Sequence, residues 1–163
     1  MNSRGPDASH RGGHPLERLM RTTVTVGLLI VAACGRATLA PVPLTPADVC
    51  SYCKMAISET QYAAEIVTED GEPLPFDDLA CLALYLKERP VNVGAIFVMD
   101  YSSRTWVKAE EACFLRSPRF KTPMSGGIAA FREKASAEAA LRDLGGELMT
   151  FAQVLARPER GDK

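Results

Sequence analysis

Histidine is nearly missing from this 163-residue chain: there are two, His10 and His14, and none follows them. That absence excludes the His-containing zinc and Cu(II) sites and removes the usual general base from everything beyond residue 14. An excess of one charge sign is lacking too. The 19 basic residues meet 20 acidic ones, without the concentrated basic face that nucleic acid binding requires. No apolar run approaches the roughly 20 residues of a membrane-spanning helix; the longest, from Val24 to Ala33, is interrupted by Thr25 and Gly27. Neither a Gly-rich phosphate loop nor a Ser/His/Asp set occurs, so nucleotide binding and serine hydrolysis have no support.

What surrounds that short run has the form of an export signal. Arg4, Arg11, Arg18 and Arg21 precede it against only Asp7 and Glu17, and small residues close it at Val31-Ala32-Ala33-Cys34. This ending resembles a bacterial lipobox, in which Cys34 is lipidated and becomes the first mature residue. The alternative is an ordinary cleaved signal beside an unrelated cysteine. The expected organisation is a signal over 1–33, a lipidated N-terminus and tether over 34–48, a folded domain over 49–157 and a tail over 158–163. Setting the leader's charges aside leaves 15 basic and 18 acidic residues, a mildly acidic remainder. Its 130 residues make one domain of ordinary size, able to bury a core without disulfide staples. Cys50, Cys53, Cys81 and Cys113 are an even set that an oxidising compartment could pair in ways the sequence does not fix.

Residues 35–47 carry Pro41, Pro43 and Pro46 without periodicity, as an extended tether does. Beyond it, Gln61–Val67 is a predicted strand, Glu69-Asp70-Gly71 a turn, and Leu74–Phe76 a second strand that Pro73 and Pro75 either weaken or confine to an edge. Asp77 or Asp78 caps a helix that runs through Leu79, Leu82, Leu84 and Leu86 to Arg89, where Pro90 stops it. Gly94–Tyr101 is a third strand. The pattern then repeats: strands at Glu111–Arg116 and Gly127–Phe131, a helix at Ala135–Leu144 ended by Gly145-Gly146, a strand at Leu148–Phe151, and a last helical turn at Gln153–Ala156. Phe76-Asp77-Asp78 and Phe131-Arg132-Glu133 open the helix of each half. The expected fold is α+β, two ββαβ units in tandem with pseudo-symmetry.

The densest chemistry is Cys50-Ser51-Tyr52-Cys53-Lys54-Met55, two thiols and a thioether in six residues. A thiolate with a thioether suits Cu(I), whereas zinc wants four ligands and seldom takes Met. The competing reading is a Cys50–Cys53 disulfide with Met55 as core filler. Thr122-Pro123-Met124-Ser125-Gly126-Gly127 is a second sulfur-bearing loop, and Met124 is a candidate third donor only if the first motif is a metal site. Cys81 inside the helix and Cys113 inside a strand read as small buried hydrophobes rather than ligands. Asp77 and Asp78 read as cap residues. Trp106 and Tyr101 are packing residues.

These residues resemble the NosL family of copper-handling lipoproteins. The matching elements are the lipobox at Cys34, Cys50-x-x-Cys53-x-Met55, Asp70-Gly71 before Phe76-Asp77-Asp78, Asp100-Tyr101 with Trp106, Pro123-Met124-x-Gly126-Gly127 before Ala130-Phe131, and Gly145-Gly146. They keep one order from Val49 to Phe151, which is more specific than any single motif. The resemblance implies paired ββαβ units and Cu(I) binding. It also implies delivery to nitrous oxide reductase or another exported copper protein, from a membrane anchor at Cys34. Its Cys-x-Met ligands fall on Cys53 and Met55, its Pro-Met loop puts a third at Met124, and Cys50 or water remains to complete the sphere. Lys54 stands where many relatives have glycine or asparagine. The expected role is a Cu(I) carrier and not an enzyme. The alternatives are a thiol–disulfide protein using Cys50 and Cys53, a domain with a structural Cys50–Cys53 bridge, and soft-metal chemistry argued from fold class alone.

Overall fold

The computed structural model describes residues 39–157. The expected signal, Cys34 and the 158–163 tail lie outside the described residues. Seven strands and three helices follow one another as β1 (Ala64–Thr68), β2 (Pro73–Phe76), α1 (Leu79–Glu88), β3 (Val93–Met99), β4 (Trp106–Lys108), β5 (Cys113–Arg116), β6 (Ile128–Phe131), α2 (Lys134–Leu144), β7 (Glu147–Met149) and α3 (Phe151–Ala156). The order is the expected ββαβ twice over, with β4 and α3 appended.

The strand pairings make the repeat explicit. One sheet runs β2-β1-β3-β4 and the other β6-β5-β7. In each half the first strand is flanked by the second, its hairpin partner, and by the third, which returns after the helix to the other side of it, all antiparallel. Pro73 and Pro75 lie on edge strand β2, opposite Val67 and Glu65, where a missing N–H breaks no ladder. β4 was not expected. Three residues are too few for alternation to register, and the strand forms by pairing with the far end of β3. Boundaries also move. Thr60–Tyr62 and Ala109–Glu111 are short 3-10 turns, so β1 begins at Ala64 and β5 at Cys113; β3 ends at Met99 rather than Tyr101, and Phe151, expected in the last strand, opens α3.

Strand residues sort by face. Phe114 of β5, Ile128 and Ala130 of β6, and Met149 of β7 join the core that holds α1 and α3. Their neighbours Leu115, Ala129 and Phe131 join a second core with Ala137 of α2, Tyr62 and Phe120. This sheet is covered on both sides, which is why β6 is an unbroken apolar run with every residue buried. Helix α1 is buried through six consecutive residues, Leu79 to Leu84, because it contacts β1 and β2 of one half and β6 and α3 of the other. Its N-terminus therefore lies where loops from both halves can converge.

The proline-rich segment before the domain is tied down along part of its length. The Val42 amide donates to Glu65 Oε1 at 2.9 Å, and Trp106 Nε1 donates to the Val42 carbonyl at 3.2 Å. Leu39 packs at Gly94 of β3, a position without room for a Cβ. From Leu39 to Asp48 the chain is thus a strap over the first sheet rather than a free tether, and it covers the buried Glu65.

Asp100 joins the two halves. It follows β3, bridges in parallel to Ala130 of β6, and is 4% exposed. One carboxylate oxygen accepts the Arg132 amide at 2.7 Å, just before α2, and the other accepts the Ser103 amide and hydroxyl. Burial alone would push this carboxyl up. The Ser103 hydroxyl, the amides of Arg132 and Ser103 and the Arg132 charge outweigh it, so the pKa lies below the ordinary value. A depressed carboxyl stabilises the fold fully above its unfolded pKa of about 3.9, and that contribution is lost as pH falls through the lower folded value. Asp100→Ala is expected to lower the unfolding free energy by about 2–3 kcal/mol in urea at pH 7. The variant should also lose part of the wild type's destabilisation below pH 4.

Candidate metal centre

The sulfur motif lies in a tight loop closed by its own backbone. Val49 bridges to Ala56, the Cys50 amide donates to the Met55 carbonyl at 2.8 Å, and the Lys54 amide donates to the Cys50 carbonyl at 3.0 Å. The Ser51 amide donates to the Pro75 carbonyl at 2.8 Å, which pins the loop to the outer edge of β2. One residue past β2 the chain enters the junction that opens α1. The loop and the helix entrance are therefore neighbours through that edge bond.

At the entrance the two adjacent aspartates part company. Asp78 is the N-cap: its Oδ1 accepts the Cys81 amide at 2.9 Å, and its Oδ2 accepts the Met124 amide at 2.8 Å from the other half of the protein. Burial raises its pKa, opposed by those two amides. Asp77 instead turns toward the sulfurs. It is 1% exposed, and its Oδ2 accepts the Cys53 thiol at 3.3 Å. Cys81, one turn into α1, is wholly buried on the same side. The Sγ atoms of Cys50, Cys53 and Cys81 and a carboxylate oxygen of Asp77 all lie within 4.8 Å of one another.

Of the expected ligands, Cys50 and Cys53 meet in this cluster. Met55 follows at the surface, 49% exposed, and Met124 packs half-buried against the core that contains Cys50 and Cys81. Cys113 lies apart, against the second core. Two further residues join the cluster. Cys81 is the buried core residue expected and also neighbours both motif thiols, and of the two expected cap residues Asp78 caps α1 while Asp77 faces the thiols. No sequence signal marks the pairing, because Asp77 precedes the extended N-cap Asp78 and lies outside the helical periodicity that places Cys81.

All four described cysteines are free thiols, and the clustered three share their protons unequally. Cys50 is pulled down to about 6 because the Cys81 thiol donates to it; the amides of Asp77, Cys53 and Tyr52 assist against burial. Cys53 is pushed up to about 11, first by burial and then by Cys50 and Asp77, with the Met55 amide opposing. Cys81 is raised by its bond to Cys50, by burial and by Asp77. The surroundings thus favour ionisation of the buried Cys50 over that of Cys53 or Cys81.

The model of the NosL family matches residues 41–157. The chain belongs to the NosL family. Among solved structures it is similar to the crystal structure of the copper chaperone NosL from Shewanella denitrificans, at 22% identity and a TM-score of 0.64, over 71% of this chain and 95% of that one. A solution structure of apo-NosL from Achromobacter cycloclastes matches at 21% identity and a TM-score of 0.40, over 55% of this chain and 82% of that one. No curated protein matches the sequence. The Shewanella likeness is one of fold, with mixed helices and two small sheets.

Within this NosL-family chain, the residue between Cys53 and Met55 has an unusual backbone. Lys54 is left-handed, with φ 64°, a conformation that glycine and asparagine adopt most readily and that costs a lysine about 1 kcal/mol. Lys54→Gly is expected to raise the unfolding free energy by at most about 1 kcal/mol, seen as a higher midpoint of chemical unfolding. Asp78→Ala should do the opposite, losing the α1 cap and the tie to Met124 together. A loss of about 2–3 kcal/mol is expected, with faster hydrogen exchange at the Met124 and Cys81 amides than elsewhere in the domain.

Proposed function

We propose that this protein is an exported Cu(I) carrier that takes the ion at Cys53 and Met55 and passes it by ligand exchange to a copper enzyme. The observation that carries the reading is the placement of the half-buried Cys53 thiol at the surface end of the sulfur cluster, two residues from the half-exposed Met55. A soft monovalent ion accepts thiolate and thioether at low coordination number. Such a site stays open to an incoming ligand, so the acceptor can bind before the donor leaves. Met124, held by Asp78 at the entrance of α1, is the third donor in this reading, and Cys50 lies behind Cys53 as a fourth. NosL-family membership and the fold of the Shewanella copper chaperone support it.

The recipient that the family resemblance favours is nitrous oxide reductase, at the outer face of a membrane where lipid on Cys34 would hold the carrier. No helix among the described residues is long and apolar enough to cross a membrane. Thiol–disulfide exchange fits the geometry less well. The thiol most ready to ionise, Cys50, is wholly buried and cannot reach a substrate disulfide.

Competition for Cu(I) against a chromophoric chelator tests the proposal. The wild type is expected to take about one equivalent. Cys53→Ser and Met55→Ile should each lose at least about 100-fold in affinity, or roughly 2.7 kcal/mol. Wild-type affinity in both variants would sink the carrier reading.

A further inference from the structure

We propose that the cavity between the strap and the first sheet receives a lysine side chain of a partner protein, whose ammonium pairs with Glu65. The cavity, of about 190 Å3, is lined by Val42, Leu44 and Asp48 of the strap and by Glu65, Pro73 and Pro75 of β1 and β2. It is smaller than the roughly 300–1,000 Å3 of a small-molecule site and suits a single side chain. Val42 and Pro73 are exposed, so the cavity reaches the surface, whereas Glu65 on its wall is 1% exposed.

That wall carries charge without a full set of partners. Glu65 Oε1 accepts the Val42 amide at 2.9 Å, while Oε2 accepts no hydrogen bond among the described residues. A buried carboxylate with an oxygen left over is costly, and few are tolerated in a folded protein. Burial raises the Glu65 pKa against the pull of the Val42 amide, and the carboxylate of Asp48 adds to the rise. An ammonium entering the cavity supplies a donor to Oε2 and offsets both carboxylates.

The form of the site selects the cation. One free oxygen gives the fork of a guanidinium half a partner, but it satisfies the point charge of an ammonium. Val42, Leu44, Pro73 and Pro75 offer apolar walls to a lysine stem. Two carboxylates among prolines are too few ligands for Ca2+, which takes about six or more oxygens. The surroundings then indicate a protein rather than a free amine. Among the described residues the exposed large apolar side chains are Val42, Val49, Met55 and Val93, and the first three lie on the strap and the sulfur loop. Such a margin is what a protein surface covers. Cavity and loop are also joined, because Asp48 is two residues before Cys50 and Pro75 holds the Ser51 amide. A protein seated on the cavity therefore lies against the sulfur loop. That this protein is the copper acceptor rests on the carrier reading, while the lysine site does not.

n-Butylammonium, a lysine stem with its charge, probes the site in the full-length protein by NMR. It is expected to bind saturably at one site in the millimolar range, shifting the Val42 and Leu44 amides and the Trp106 indole N–H. n-Butanol should leave them unmoved, and n-butylguanidinium should bind at least about threefold more weakly. Glu65→Gln keeps an acceptor for the Val42 amide and should weaken n-butylammonium at least about tenfold. Absence of saturable shifts in the wild type, or equal shifts with n-butanol or Ca2+, overturns the site without recourse to any variant. Guanidinium binding as tight as ammonium binding overturns the choice of lysine. Cu(I) transfer to apo nitrous oxide reductase separates the two readings. In Glu65→Gln it should slow at least about tenfold while Cu(I) affinity in chelator competition stays unchanged. Ammonium binding with no transfer by the wild type removes that delivery reading alone. Transfer at the full rate in Glu65→Gln overturns the assignment of the cavity to the acceptor.

Discussion

One carboxylate holds this architecture together at the place that matters. Asp78 spends one oxygen on the first turn of α1 and the other on the backbone of the Met124 loop. The first bond lets a helix begin deep in the interior, where an uncapped amide would have no water to turn to. The second draws a loop from the opposite half of the chain to the same point. Thr122 supports that loop from within, accepting the Gly127 amide on its hydroxyl and the Ser125 amide on its carbonyl. The tie adds to the other links between the halves, the Asp100 contacts and the packing of α1 on β6 and α3. In the proposed carrier reading it also holds Met124 at the entrance of α1.

The arrangement also divides the sulfurs by depth. Cys50 and Cys81 are fully buried, Cys53 is half-buried and Met55 is half-exposed. In the proposed carrier reading, an ion arriving from solvent meets the thioether and the rim thiol first. Binding at Cys53 must displace a proton that burial helps to hold, while Cys50, with its pKa lowered to about 6, lies behind it and out of contact with solvent.

Much of this was legible in the residues, for identifiable reasons. The two ββαβ units could be read because their strands and helices differ in period and their boundaries carry prolines, glycines and aspartates that act locally. The confinement of Pro73 and Pro75 to an edge followed from a missing donor alone. Cys50, Cys53 and Met55 stood out because they are close in sequence. β4 was hidden because its order comes from pairing and not from its own three residues. The strap was hidden because a proline-rich segment reads the same whether free or docked, and only Glu65 and Trp106 decide. The burial of Cys81 was legible from its apolar helix, but not its neighbours, because a helix buried on every side gives its cysteine no compositional mark of which way it turns.

The repeated fold supplies its own comparison. Each half ends its second strand with a phenylalanine and opens a helix two or three residues later, but the junctions differ in chemistry. In the second half Glu133 stands at the cap without a side-chain bond, and the preceding amide is held from outside by Asp100. That junction leads into a helix that is mostly half-buried, with one fully buried residue, Ala137. The fold therefore does not need two buried aspartates to turn a strand into a helix. In the first half both carboxylates are nearly inaccessible, one of them with an oxygen left over, at a cost that helix capping alone does not explain. Local departures from economical construction concentrate where a site is built. The entrance of α1, with three thiols against Asp77, is where this chain makes that departure.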